Sequence, residues 1–297
     1  MNLKELAWPV RIYWDLPQSP SDPGLCLDIC EQILAIKILF LSLREPSSPI
    51  SPACMEMFDR LRGHTIGVSL TLSGSALSPS VVTRLSDSMI KSLLINTTSL
   101  SEVRSAVETI THSGKSGLPV GISFEIKRDN YGDIPRIVSL CLDHGIRDLV
   151  FPIQRLMRGW DIFYLTSEEM REISHRLRTI DYRKSRITIH DPFLWKVFYP
   201  DTDYHEGGCQ AANSMLYISP EYRVFPCPAM PLDLGDLHGT TLREIILSER
   251  RKELRSSLLD LPTECAGCDQ ANKCLGGCRG RAFVLDGSLT RIDPACR

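Results

Sequence analysis

No run in this sequence approaches the roughly 20 consecutive apolar residues that a helix needs to cross a bilayer. No apolar signal segment opens it either, since the chain starts Met-Asn-Leu-Lys-Glu-Leu. Charge of one sign is equally scarce: 34 Lys and Arg stand against 36 Asp and Glu, a formal net charge of −2, which argues against bulk nucleic-acid binding. Basic stretches at Arg176–Arg186 and Arg250–Arg255 read as solvated helical faces, with specific anion binding as the sharper alternative. These shortages leave an ordinary globular protein, expected in the reducing cytoplasm, with no membrane and no nucleic acid among its partners. At 297 residues and 43% hydrophobic it can form one large domain and a small one.

What the first 200 residues do contain is a sustained alternation of strand and helix patterns. Strands are expected at Val10–Trp14, Ile38–Leu43, Thr65–Leu72, Ile90–Ile95, Gly117–Ile126, Asp148–Pro152 and Arg186–His190. Helices are expected at Leu25–Ala35, Met55–Leu61, Ser78–Ser88, Leu100–His112 and Ile134–Asp143, and another opens with the capping box Thr166-Ser-Glu-Glu169. Ser99 or Ser101 can cap the helix at Leu100, and Gly145 supplies a left-handed stop after Asp143. Such alternation implies parallel strands joined by helical crossovers. Six or seven units are too few for an eight-fold barrel, so an open, partial (β/α) barrel is expected.

Cysteine is distributed unevenly. Seven of the 11 lie in the last ninety residues: Cys209, Cys227, Cys265, Cys268, Cys274, Cys278 and Cys296. Four form one run, Cys265-Ala-Gly-Cys268-x5-Cys274-Leu-Gly-Gly-Cys278. A C-x2-C pair lets two thiolates reach one metal centre from a single turn, and Gly267, Gly276 and Gly277 give the backbone the freedom to do so. Seven thiols leave one over in any disulfide scheme and suit two metal centres better, one with four thiolates and one with three. Thiolates bind iron–sulfur clusters and zinc alike, so a structural zinc domain with spare thiols stays open on the residues alone.

At these residues the tail resembles the SPASM domain, the C-terminal extension of many radical S-adenosylmethionine (SAM) peptide-modifying enzymes. The C-x2-C-x5-C-x3-C run matches in full. Leu-Gly-Gly-Cys278-Arg-Gly-Arg, Asp293-Pro-Ala-Cys296 and Leu234-Gly235-Asp236-Leu237, with a helix beginning near Leu242, also look like the family. One departure is plain, since Tyr222 stands where the family has glycine; a changed turn is expected there. The resemblance implies residues 1–200 as a partial barrel of radical SAM type and residues 201–297 as a small Cys-rich SPASM iron–sulfur domain. It also implies a ligand assignment. Cys265, Cys268, Cys274 and Cys296 would hold one auxiliary [4Fe–4S] cluster, and Cys209, Cys227 and Cys278 the other. Gln210 to Tyr217 contains no fourth cysteine, so that second site would have an open iron, a non-Cys ligand such as His205, or a lower nuclearity.

The first half departs further from that resemblance. The family places C-x3-C-x2-C in the loop after the first strand, to hold the cluster that chelates SAM. Here the loop Leu16–Gly24 has no cysteine. Cys26 and Cys30 have the first spacing, but Ile33 stands third and both fall on one face of the first helix, so they read as core thiols. The family's Gly-Gly-Glu-Pro is Leu43-Arg44-Glu45-Pro46, whose first two side chains would crowd a bound cofactor. Two parts of the SAM site are thus broken, and SAM is not an expected cofactor. An intact tail behind a degenerate half resembles the SPASM-domain protein of the GeoRSP system. That resemblance implies an accessory protein that acts with a radical SAM/SPASM maturase, a small peptide chaperone of the pyrroloquinoline-quinone biosynthesis type and a substrate peptide. An active radical SAM enzyme with an unusual SAM cluster, a Lewis-acid enzyme and a structural scaffold remain the alternatives.

Cys54 and Cys141 read as core thiols, and His190 as a hydrogen-bonded histidine that could face a ligand at a strand end. Arg279 and Arg281 flank the cysteine run. They are either a solvated basic patch or charges that raise a cluster's potential.

Overall fold

Seven parallel strands follow one another across the sheet in chain order: β1 (Arg11–Asp15), β2 (Phe40–Glu45), β3 (Gly67–Ser73), β4 (Ile90–Thr97), β5 (Val120–Phe124), β6 (Asp148–Phe151) and β7 (Arg186–Ile189). The computed structural model from which this is drawn describes residues 5–18, 22–76, 81–82, 85, 90–112, 118–155, 162–204 and 207–296. The helix expected at 78–88 lies mostly outside the described residues. Helices α1 (Pro23–Ala35), α2 (Pro52–Leu61), α3 (Leu100–His112), α4 (Ile134–Asp143) and α5 (Ser167–Leu177) alternate with the strands, and α6 (Pro192–Phe198) follows β7. The fold is α/β with an open parallel sheet.

Local chemistry accounts for the helix ends. Asp22 and Ser51 cap α1 and α2, each with proline in the first turn, where a missing N–H costs nothing. Ser99 Oγ accepts from the Glu102 N–H, and Glu102 reaches back to Thr98 N at 2.6 Å. The Thr166–Glu169 capping box is present, and Gly145 takes φ +70° just past α4. Strand β3 shows why the barrel has a lumen. Val68, Leu70 and Leu72 are buried, whereas Ser69 and Thr71, pointing the other way, line a cavity.

The sheet does not stop at residue 200. Strand β8 (Met215–Ile218) pairs in parallel with the free edge of β1, Arg11 opposite Met215, and β9 (Arg223–Phe225) and β10 (Gly235–Asp236) extend it antiparallel to ten strands. Helices α7 (Leu242–Leu247), α8 (Glu249–Leu259), α9 (Ala271–Cys274) and α10 (Arg279–Asp286) complete the tail. Among the described residues no helix is long and apolar enough to cross a membrane.

Candidate functional site

The inner side of the strands is polar. Asp15, at the end of β1, holds Arg155 through two bonds of 2.5 and 2.6 Å and accepts a third from the Tyr217 hydroxyl at 3.0 Å. Burial works against the Arg155 charge, but Asp15 more than offsets it and holds the guanidinium above its usual range. Arg44 crosses to Glu125 at 2.7 Å. His190, just past β7, meets the Tyr13 hydroxyl at 3.5 Å; burial, with Arg11 and Arg155 nearby, lowers its pKa to about 4, so it is neutral at pH 7. Arg44, Glu125 and Arg155 line a cavity of about 910 Å³ at the strand C-terminal ends, together with Lys127, Tyr164 and Asp191 among others. A smaller cavity of about 260 Å³, lined by Cys209, Cys227, Cys274 and Cys278, shares Ile153 and Asp191 with it.

The seven tail thiols fall into two neighbourhoods. Cys209 and Cys278 each act on Cys227, and Cys209 also acts on Cys278. Cys265 and Cys296 act on Cys274, and Cys265 and Cys268 act on Cys296. Burial pushes the Cys278 thiol up to about 12 and the Cys274 thiol to about 11, and it raises Cys209, Cys227, Cys265 and Cys296 as well. The four-thiol group reaches the surface, where Cys268 and Cys296 are exposed. His205 lies outside the described residues.

Backbone geometry aims N–H donors at these sulfurs. Cys209 receives Ala211 and Arg279, Cys227 receives Ala229 and Met230, Cys274 receives Gly276 and Gly277, and Cys278 receives Arg281. Such donors favour the thiolate over the buried thiol, which suits metal-bound sulfur. Gly277 (φ +74°) makes the turn before Cys278 possible, because a Cβ there would lie 2.7 Å from Asp293 Cβ and 2.8 Å from the Phe193 ring. Among the described residues no three His, Cys, Asp or Glu side chains converge closely enough to hold a single metal ion. Seven thiols, four of them met by backbone N–H donors, are a donor set that fits thiolate-bound iron–sulfur clusters.

Buried charge holds the cysteines in place. Arg281 donates to Asp293 (Nη2 to Oδ2, 2.6 Å) and also pairs with Asp191, which caps α6. Asp293, fully buried, accepts in addition from the Cys278 N–H at 2.7 Å and the Ala295 N–H at 3.0 Å. Arg255 donates to the Cys209 carbonyl at 2.5 Å, and Arg251 donates to the carbonyls of Ala212 and Ile246. The solvated-patch reading is thus corrected for Arg251, Arg255, Arg279 and Arg281, all of them buried. These guanidinium groups donate to carbonyls and carboxylates, some of them as remote in sequence as Ala212 and Asp191.

Tyr222, the four remaining cysteines and Glu45 each bear on a sequence expectation. Tyr222 takes a left-handed backbone (φ +60°), with its ring packed edge-on against His238. Cys26, Cys30, Cys54 and Cys141 are buried in the core, and burial raises Cys26 to about 11 and Cys30 to about 12. Glu45 is turned inward onto Ser51 (2.5 Å) and Ser47 N (2.8 Å), building the turn that starts α2. The Asp15–Arg155–Tyr217 cluster went unrecognised in the sequence. Its only signal is a charged residue at the end of an otherwise apolar strand.

Residues 209–269 match the SPASM family, described as an iron–sulfur cluster-binding domain; Cys274, Cys278 and Cys296 lie beyond the matched span. Over 191 residues the chain is 28% identical to PqqA peptide cyclase of Ruegeria pomeroyi, a match that takes in 61% of this chain and 50% of that one. The chain thus spans about half the length of this curated relative. Among solved structures, SuiB of Streptococcus suis bound to S-adenosylmethionine superposes with a TM-score of 0.75 at 14% identity, over 100% of this chain and 79% of SuiB. SuiB bound to its precursor peptide SuiA gives 0.72 at 13% identity, over 100% and 77%. Native anSMEcpe with bound AdoMet gives 0.66 at 14% identity, over 96% and 94%. The chain therefore carries a SPASM domain in its C-terminal part, behind an α/β half whose fold it shares with SuiB and anSMEcpe, and it is homologous to PqqA peptide cyclase.

Proposed function

We propose that this chain is an iron–sulfur accessory protein of ribosomal-peptide modification, acting beside a partner radical SAM maturase with a small chaperone-bound peptide. Cys209, Cys227 and Cys278 hold one cluster; Cys265, Cys268, Cys274 and Cys296 hold the second. Bound clusters of this kind supply one-electron transfer. The observation that carries the reading is the order of the parts. The large cavity shares Ile153 and Asp191 with a smaller one, which is lined by Cys209, Cys227 and Cys278 and by Cys274 of the four-thiol group, and Cys268 and Cys296 of that group reach solvent. The chain's own residues give that order its rigidity. Asp293 anchors Cys278 and Ala295 together, Arg255 fixes the Cys209 loop, and the Asp15–Arg155 pair shapes the cavity floor. A barrel part and a SPASM part divided near residue 200, joined through one sheet, belong to the same proposal.

SAM cleavage by this chain is the second reading, favoured by the SAM bound to SuiB and anSMEcpe. Against it stand the core position of Cys26 and Cys30 and the Arg44–Glu125 pair in the lining of the cavity. Iron and sulfide content with EPR, on anaerobically purified protein with and without SAM, tests both. About eight irons and no SAM-dependent change support the accessory reading. About twelve irons, or a signal that SAM shifts and Cys26→Ala/Cys30→Ala abolishes, replaces it with the enzyme. Zinc with little iron sinks both.

A further inference from the structure

Arg279 opens α10 and is completely buried. Its Nη1 donates to the carbonyls of Asp260 and Leu275, each at 3.1 Å, and its Nη2 to the carbonyl of Leu289. Its Nε is buried too and meets no partner among the described residues. Carbonyl oxygens solvate a guanidinium without neutralising it, so this cation sits in the interior with its charge largely unanswered. Arg281, two residues on, differs in kind, since Asp191 and Asp293 both pair with it.

The position of Arg279 says what is meant to answer the charge. The sulfurs that feel it are Cys209, from the three-thiol group, and Cys265, from the four-thiol group. Its own backbone N–H also donates to the Cys209 sulfur. The guanidinium bonds the carbonyl of Leu275, the residue after Cys274, while the backbone N–H of the same residue meets the Cys209 sulfur, so Arg279 touches both neighbourhoods from a root one residue after Cys278.

We propose that Arg279 is a counter-ion shared by the two thiol groups, a positioning residue that balances the negative charge of a cluster on each side and raises both reduction potentials. The proposal rests on the reading that each group holds a cluster. Reduction of either cluster takes up one electron and no proton. The added negative charge is stabilised by a guanidinium that stays protonated at any accessible pH. The nearby charge also ties the two couples together, because a change at Arg279 must move both.

The test is an EPR-monitored dithionite titration of the whole protein, comparing wild type with Arg279→Gln and Arg279→Lys, with iron and sulfide measured on each. In Arg279→Gln both couples are expected to fall. At each wild-type midpoint the reduced-to-oxidised ratio drops at least tenfold, or about 59 mV for a one-electron couple. Arg279→Lys keeps the charge and loses the fork of carbonyl bonds, so its couples stay nearer wild type than those of the Gln variant. Iron lost from the Gln variant but kept by the Lys variant supports the proposal in the same way. A shift in one couple alone, no shift, or equal shifts or equal iron loss in both variants overturns it, the last pair marking a purely structural arginine. Wild-type protein with no iron or sulfide refutes the cluster reading itself.

Discussion

Asp293→Asn probes the buried clamp that joins the tail to the barrel. The carboxylate is fully buried and accepts from the Arg281 Nε and Nη2, from Cys278 N and from Ala295 N. The amide keeps the shape and one oxygen but removes the charge that Arg281 faces. Removing one partner of a buried ion pair costs about 3–5 kcal/mol. Asp191 still pairs with Arg281 after the change, so the lower end, about 3 kcal/mol, applies. Asp293→Ala goes further, because the Cys278 and Ala295 N–H groups lose their acceptor, each at about 1–3 kcal/mol. For a protein with about 5–15 kcal/mol of total stability that is enough to loosen the tail. The assay is anaerobic urea denaturation with iron content measured in parallel. Iron should be lost from both sites, because Asp293 steadies Cys278 of one thiol group and the turn into Cys296 of the other. A midpoint within about 0.5 kcal/mol of wild type, with iron unchanged, would refute the clamp.

Two other outcomes follow from the same geometry. Cys274→Ala removes one ligand from the four-thiol group and should take iron from about eight to about four per chain, while the three-thiol signal persists; unchanged iron would remove the assignment. His190 is held neutral by burial and by Arg11 and Arg155, with Tyr13 as its hydrogen-bond partner, so its folded pKa lies near 4 against about 6.5 unfolded. The unfolded chain binds the extra proton between these values. His190 stability is therefore full above pH 6.5 and is lost as pH falls towards 4, by up to about 3 kcal/mol. His190→Gln should flatten the fall between pH 7 and 5 in denaturation midpoints, and an unchanged slope would show that His190 does not contribute.

The barrel half was legible because its signals are local. Leu100–His112 and Ile134–Asp143 were located to the residue from a serine, a glutamate and a glycine. Strand ends were less so, since β2 and β4 run on to Glu45 and Thr97, polar residues that the interior accepts. The turns of the cysteine run were legible for the same local reason, since Gly267, Gly276 and Gly277 all take positive φ. What the sequence hid was decided by residues remote from one another. Nothing near Arg251 or Arg281 indicates that each would meet its partners across the fold. Nothing near Met215–Ile218 announces that this short apolar stretch completes a sheet begun at Arg11. Tyr222 shows a different limit. Its neighbours pack around the ring closely enough to keep the left-handed turn that glycine would adopt more readily.

The pairing of β1 with β8 has a consequence for how the chain is made. Strand β1 leaves the ribosome early, yet one of its two neighbours lies about 200 residues later. Until that segment emerges, an apolar edge strand stands open, and the first half waits unfinished for the last third. Contacts of such long reach fold slowly and leave nascent material prone to clumping. Completion of the sheet also fixes the segment between Cys209 and Cys227, which flank β8 and β9, so assembly of the three-thiol group waits on one late strand.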